Sequence, residues 1–172
     1  MRSTYFVPIA MLAVAVACND STTAPDTPSF KAGNPGTGAS TWDFANVSVN
    51  SSGALVISFK VHGVGNNDVT FSLSGTARTV YGCINGGSNH PKAANKEGTT
   101  TAFSTQFTFD PTNGGIETTA TFPVPGTTLE CPSGQDLFLI SVRYFGLSFT
   151  NSTAGEVATL STTDTGVISF FP

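Results

Sequence analysis

The chain has 172 residues, of which only 10% are charged and 39% hydrophobic, with 18 Gly, 10 Pro and 14 Phe against a single Trp. A charged fraction well under half of the roughly 25% usual for soluble domains excludes long Glu/Lys/Arg-rich surface helices, and the abundant Phe, Val, Ile and Leu exclude disorder throughout. A formal charge of -4 with seven Lys and Arg leaves no basic stripe for nucleic acid and disfavours acidic lipid surfaces.

Met1 to Thr4 carries one positive charge, at Arg2, and Tyr5 to Ala17 is an almost wholly apolar run of thirteen residues. That run falls short of the roughly 20 residues that span a bilayer, so residues 1–17 read as an export signal. Its ending, Ala15-Val16-Ala17-Cys18, resembles the lipobox of bacterial lipoproteins, with Ala15 where Leu is commoner. The resemblance implies that Cys18 is acylated on sulfur and becomes the N-terminus, tethering the protein to a membrane. Asn19 then points to the outer membrane, and Asp20 argues the other way. The alternative is an ordinary A-x-A signal cut after Ala17, with Cys18 an incidental thiol. Residues 18–41, rich in Ser, Thr, Pro and Gly, cannot offset their ordering entropy by burial and form a tether with a typical reach of roughly 25 Å.

From residue 42 to 172 the periodicity is two, the mark of half-buried strands. Trp42 to Val49 forms the first. Leu55, Ile57, Phe59 and Val61 then alternate with polar or smaller residues, as do Val69, Phe71 and Leu73, and the same phase extended to Cys83 points that thiol inward. Phe103, Phe107 and Phe109 mark another strand. Asp110-Pro-Thr-Asn-Gly-Gly115 supplies a fixed φ at Pro and positive φ at Asn-Gly, returning the chain as Ile116, Thr118, Ala120 and Phe122. Leu137 to Phe145 is apolar on both phases and reads as a central strand buried on both faces. Leu147 to Thr150, Val157 to Leu160 and Val167 to Phe171 complete the set. Eight or nine short strands without an amphipathic helix predict an all-β antiparallel sandwich, immunoglobulin-like or jelly-roll-like.

Cysteine counting adds a crosslink. With lipid on Cys18, the exported domain keeps the even pair Cys83 and Cys131, which predicts one disulfide in an oxidising compartment. No C-x-x-C or third nearby ligand supports a zinc or redox site.

One stretch interrupts the strand pattern: Cys83-Ile-Asn-Gly-Gly-Ser-Asn-His-Pro-Lys-Ala-Ala-Asn-Lys-Glu-Gly98, a loop of the length that often carries function. It concentrates Asn85, Asn89, His90, Lys92, Lys96 and Glu97 in a charge-poor chain. The pattern YGCINGG with NHPKAANKE, followed by Cys131-Pro132, is similar to one found in secreted and lipoprotein β-domain proteins of bacteria and fungi. That resemblance implies the domain boundary and the disulfide, and transfers no catalytic residue.

A calcium site on Asn85, Asn89, Asn95 and Glu97 would hold one carboxylate against Lys92 and Lys96, so no metal is expected. No catalytic elbow, phosphate loop or dinucleotide fingerprint is present, and no cofactor is expected. Glu97, Asp110, Glu117, Glu130 and Asp136 are candidate carboxylates whose pairing spacing does not reveal. Trp42, Tyr81 and Tyr144 are the aromatic candidates for ligand stacking, and each reads first as core. Asn46, Asn50 and Asn151 match a glycosylation sequon; if the lipobox is real the host is bacterial and the match is chance. The sequence therefore predicts a lipid-anchored module of the cell envelope, binding or surface-structural, with polar or glycan partners through the loop. The alternatives are a secreted hydrolase using His90 with a carboxylate, and a subunit of a surface assembly whose last strand pairs with a neighbour.

Overall fold

The computed structural model describes residues 39–85 and 95–170. Eight strands follow in order: β1 (Thr41–Val49), β2 (Leu55–His62), β3 (Val69–Asn85), β4 (Lys96–Phe109), β5 (Gly115–Phe122), β6 (Gln135–Asn151), β7 (Glu156–Val157) and β8 (Ile168–Ser169). They form two antiparallel sheets, β1-β2-β5 against a five-stranded sheet in the order β4-β3-β6-β7, with β8 also on β6. The chain is thus an all-β sandwich.

The alternation of two builds the core. Leu55, Ile57, Phe59 and Val61 from β2 face Val69, Phe71 and Leu73 from β3 and Val142, Tyr144 and Phe149 from β6, and all are essentially inaccessible. Trp42 closes one side, with ring centroids 6.0, 5.7 and 5.8 Å from Phe59, Phe71 and Phe149. Tilted and edge-on packing at these separations suits the aromatic quadrupole and adds to area burial. Tyr144 crosses the core, and its hydroxyl donates to the Gly53 carbonyl at 2.7 Å. Burial raises its phenol well above the ordinary tyrosine range. The 110–115 turn has the conformation its residues call for, with Asn113 and Gly114 at φ 52° and 74°.

The C-terminal third departs from the sequence expectation. The separate segments at 137–145 and 147–150 are one strand, β6, pairing with β3 along its length through two register shifts. The expected strand from Val157 to Leu160 is reduced to Glu156–Val157, and the last to Ile168–Ser169. Between them the chain runs along the outer edge of β6 by single bonds, Ala158 N to Phe149 O, Leu147 N to Thr163 O and Thr165 N to Tyr144 O. Gly and Thr punctuation there defeats a regular ladder, while the edge is still covered.

Nor is β6 buried on both faces throughout. Val142 and Tyr144 are buried, whereas Leu137 and Phe138 are each 46% exposed. The cause is length. β3 and β6 each have 17 residues and the opposing strands eight or nine, so at about 3.3 Å per residue one end of the larger sheet projects beyond its partner.

Candidate functional site

The overhang holds Asn85, Lys96 and Glu97 of the residues that the sequence singled out. β3 ends at Asn85, which is exposed and paired with Gln135, and β4 begins at Lys96, opposite Gly82. Ile84, Asn85 and Lys96 to Gly98, expected in the loop, belong to these strands because they pair in the sheet, and residues 86–95 join them; Asn89, His90 and Lys92 lie outside the described residues, as does Cys18. The structure brings Cys83, Asn85, Lys96 and Glu97 together at this end of the sheet.

Three links fasten the overhang to the segment between β5 and β6. Cys83, 3% exposed, is bonded to Cys131 with Cα atoms 5.5 Å apart. The Tyr81 hydroxyl donates to the Pro125 carbonyl at 2.8 Å, and burial raises its phenol. The Glu97 carboxylate accepts from the Thr127 hydroxyl at 2.6 Å and from Thr128 at 3.3 Å. Tyr81 and Cys83 are buried beneath this segment. Sequence reading found the disulfide but not the role of Glu97, because its partners lie thirty residues further on and only register brings them near.

Each of these groups is committed to structure. Glu97, offered above as a partner for His90, spends both oxygens on threonine hydroxyls. The other candidate carboxylates are dispersed. Asp136 sits opposite Ile84 on the overhang and Glu130 is exposed beside Cys131. Asp110 and Glu117 border a cleft of about 460 Å³ at the opposite end of the sandwich, together with Lys60 and His62. There Glu117 is paired with Lys60 at 3.0 Å, and the exposed His62 contacts Asp43 at 3.3 Å. No group of three or more His, Cys, Asp or Glu that could hold a metal ion is assembled among the described residues.

The other candidates also resolve. Tyr81 and Tyr144 are core residues and Trp42 is partly buried against the core, so none offers a free stacking platform. The Trp42 indole nitrogen is buried without a hydrogen-bond partner among the described residues. Of the sequon residues, Asn151 is 2% exposed and its side-chain oxygen accepts from the Thr153 and Ala154 amides. Asn50 caps the β1–β2 turn by accepting from Ser52 and Ala54. Their side chains belong to turns. As for the last strand, β8 spends its backbone on β6, and Phe170 N donates to Ile140 O.

No family model, curated protein or solved structure matches the chain.

Proposed function

We propose that this protein is a lipid-anchored, extracytoplasmic binding module of the cell envelope, held to the membrane through Cys18 and contacting polar, glycan-type ligands through the loop between β3 and β4 and the strand ends at its root. The observation that carries the reading is the fastened overhang. A long, asparagine-rich connection grows from strand ends that a disulfide, a tyrosine and a glutamate hold in place, the arrangement of a binding loop on a rigid scaffold. The disulfide accords with an oxidising compartment, and Asn85 and Lys96 stand exposed at the loop's root. Asn85, Asn89, His90 and Lys92 would hydrogen-bond a sugar-rich partner, while Glu97 positions the root.

The test is retention of the natively produced protein on isolated envelope glycan, compared with a variant carrying Ala at Asn85, Asn89, His90 and Lys92. Lost retention with unchanged melting supports the proposal, and unchanged retention overturns it. Mass spectrometry of the same material checks the anchor: acyl chains on Cys18 are expected, and an unmodified chain starting at Cys18 refutes that part.

A further inference from the structure

Of the seven Lys and Arg in the chain, four fall among the described residues, Lys60, Arg78, Lys96 and Arg143. Two of them, Arg78 and Arg143, are direct cross-strand neighbours on β3 and β6. Both lie on the outer face of the five-stranded sheet, because Ala77, Thr79, Val142 and Tyr144 beside them are buried inward. Like charges directly opposite one another destabilise a sheet. A chain this poor in charge has nonetheless placed half of its described basic residues side by side.

The two guanidiniums differ in their partners. Arg143 donates through Nε to Asp164 at 3.0 Å and through Nη2 to the same carboxylate, and it lies 5.3 Å from the Phe145 ring centroid. Asp164 is itself fixed by the Gly166 amide at 2.9 Å. The Arg78 guanidinium makes no hydrogen bond or ion pair among the described residues. Both arginines line a cleft of about 250 Å³, walled by Val80, Ser141 and the exposed Val167 of the C-terminal segment. The local sum of Arg78, Arg143 and Asp164 is one positive charge. More distant acids act weakly, since screening at physiological salt reaches about 8 Å.

We propose that this cleft is an anion site in which Arg78, beside a pre-positioned Arg143, binds a carboxylate group of an acidic polysaccharide. A planar guanidinium matches a carboxylate bidentately, and an anion between the two arginines removes their mutual repulsion. The surroundings choose the kind of polymer. On the same face Arg78 has Thr100 as its β4 neighbour, and Thr76, Ser74 and Ser104 continue as exposed or half-exposed hydroxyls. Hydroxyl rows flanking one positive charge suit a hydroxyl-rich chain that offers one carboxylate per sugar. An anionic membrane surface calls for a cluster of basic residues, and nucleic acid for a stripe of them. This site is on a sheet face rather than in the loop, so it stands or falls separately from the loop reading.

The experiment is affinity electrophoresis of the full chain through gels containing alginate or neutral dextran, with sedimentation on phosphatidylglycerol vesicles in parallel. Retardation by alginate alone is expected. Arg78→Gln should weaken it about tenfold, the loss of one charge-assisted contact, and Arg78→Lys should restore part of it, with melting unchanged in both. Equal retardation by dextran, unchanged retardation of Arg78→Gln, or vesicle sedimentation that Arg78→Gln abolishes overturns the proposal. Alginate binding that survives the fourfold loop variant leaves this site standing and counts against the loop as the glycan contact.

Discussion

Removing the disulfide by Cys83→Ala with Cys131→Ala perturbs the overhang at one defined point. The bond closes a chain segment of sequence separation 48. The loop-closure estimate for a segment of that length is about 4 kcal/mol, contributed largely by restricting the unfolded chain. For a domain of this size each kcal/mol corresponds to roughly 3–4 °C, so the double variant should melt about 15 °C lower. The native fold should persist. Cys83 is paired with Leu137 in register, and the Tyr81–Pro125 and Glu97–Thr127 bonds still hold the segment between β5 and β6 to the overhang. Calorimetry gives the total, and hydrogen exchange locates it: protection should fall most around 123–134 and least in β2. A melting shift below about 4 °C would refute the reasoning, because the hydrogen bonds alone would then account for the fastening.

Four further outcomes follow from individual contacts. Tyr144→Phe leaves the buried Gly53 carbonyl without its donor and should cost about 1–3 kcal/mol in denaturant unfolding with the fold intact. Since burial raises the phenols of Tyr144 and Tyr81, stability is complete below about pH 10, where unfolded tyrosine begins to ionise, and declines above it; Tyr144→Phe should flatten that alkaline loss. The hydrogen bond from Arg143, then that from the Gly166 amide, lowers the Asp164 carboxyl to about 2, so its contribution is full above the ordinary aspartate range and fades as pH falls through that value. Carbon-detected titration should find this midpoint, and Arg143→Gln should move it upward. At Gly75 an added Cβ would sit 2.8 Å from Leu147 Cδ2, 3.1 Å from Phe103 Cζ and 3.3 Å from the Phe145 carbonyl; Gly75→Ala should therefore destabilise by about 1–3 kcal/mol, and an unchanged midpoint would show that Leu147 yields freely.

The sandwich was legible because alternation is a local signal. Residues 55–61 and 69–73 declare their inner face by chemistry alone, and the same phase carried forward places Cys83 inside, where it meets Cys131. The Asn113-Gly114 turn was equally local, its positive φ angles being what those residues tolerate. What the sequence did not disclose depends on register and relative length. Leu137 and Phe138 read as buried because their neighbours are apolar, yet the shorter sheet ends before it reaches them. Glu97 read as a loop residue free for chemistry, and the threonines that engage it are brought near only by the fold. Arg78 and Arg143 stand 65 positions apart, and two register shifts in the β3–β6 pairing separate their alignment from any simple count. Concentration of charge in the loop was visible in the chain; concentration across the sheet was not.

The C-terminal segment links several of these features. Asp164, which holds Arg143, and Val167, which walls the arginine cleft, both belong to the stretch that covers the outer edge of β6. The same stretch reaches the other sheet, where Ser161 N donates to Ala45 O and its hydroxyl accepts from Val47 N. Close by, Glu156 accepts from the Ser40 amide at 2.9 Å and from its hydroxyl, fixing the chain just before β1. The cleft therefore exists in its present shape when this segment is docked against both sheets. A ligand held between Arg78 and Arg143 binds that docked form, and mass action then favours docking in proportion to the logarithm of ligand concentration over its dissociation constant. On the proposed site, occupancy of the face and closure of the sandwich along the β1 side share one segment, Glu156 to Val167, and a substitution that undocks it should weaken both.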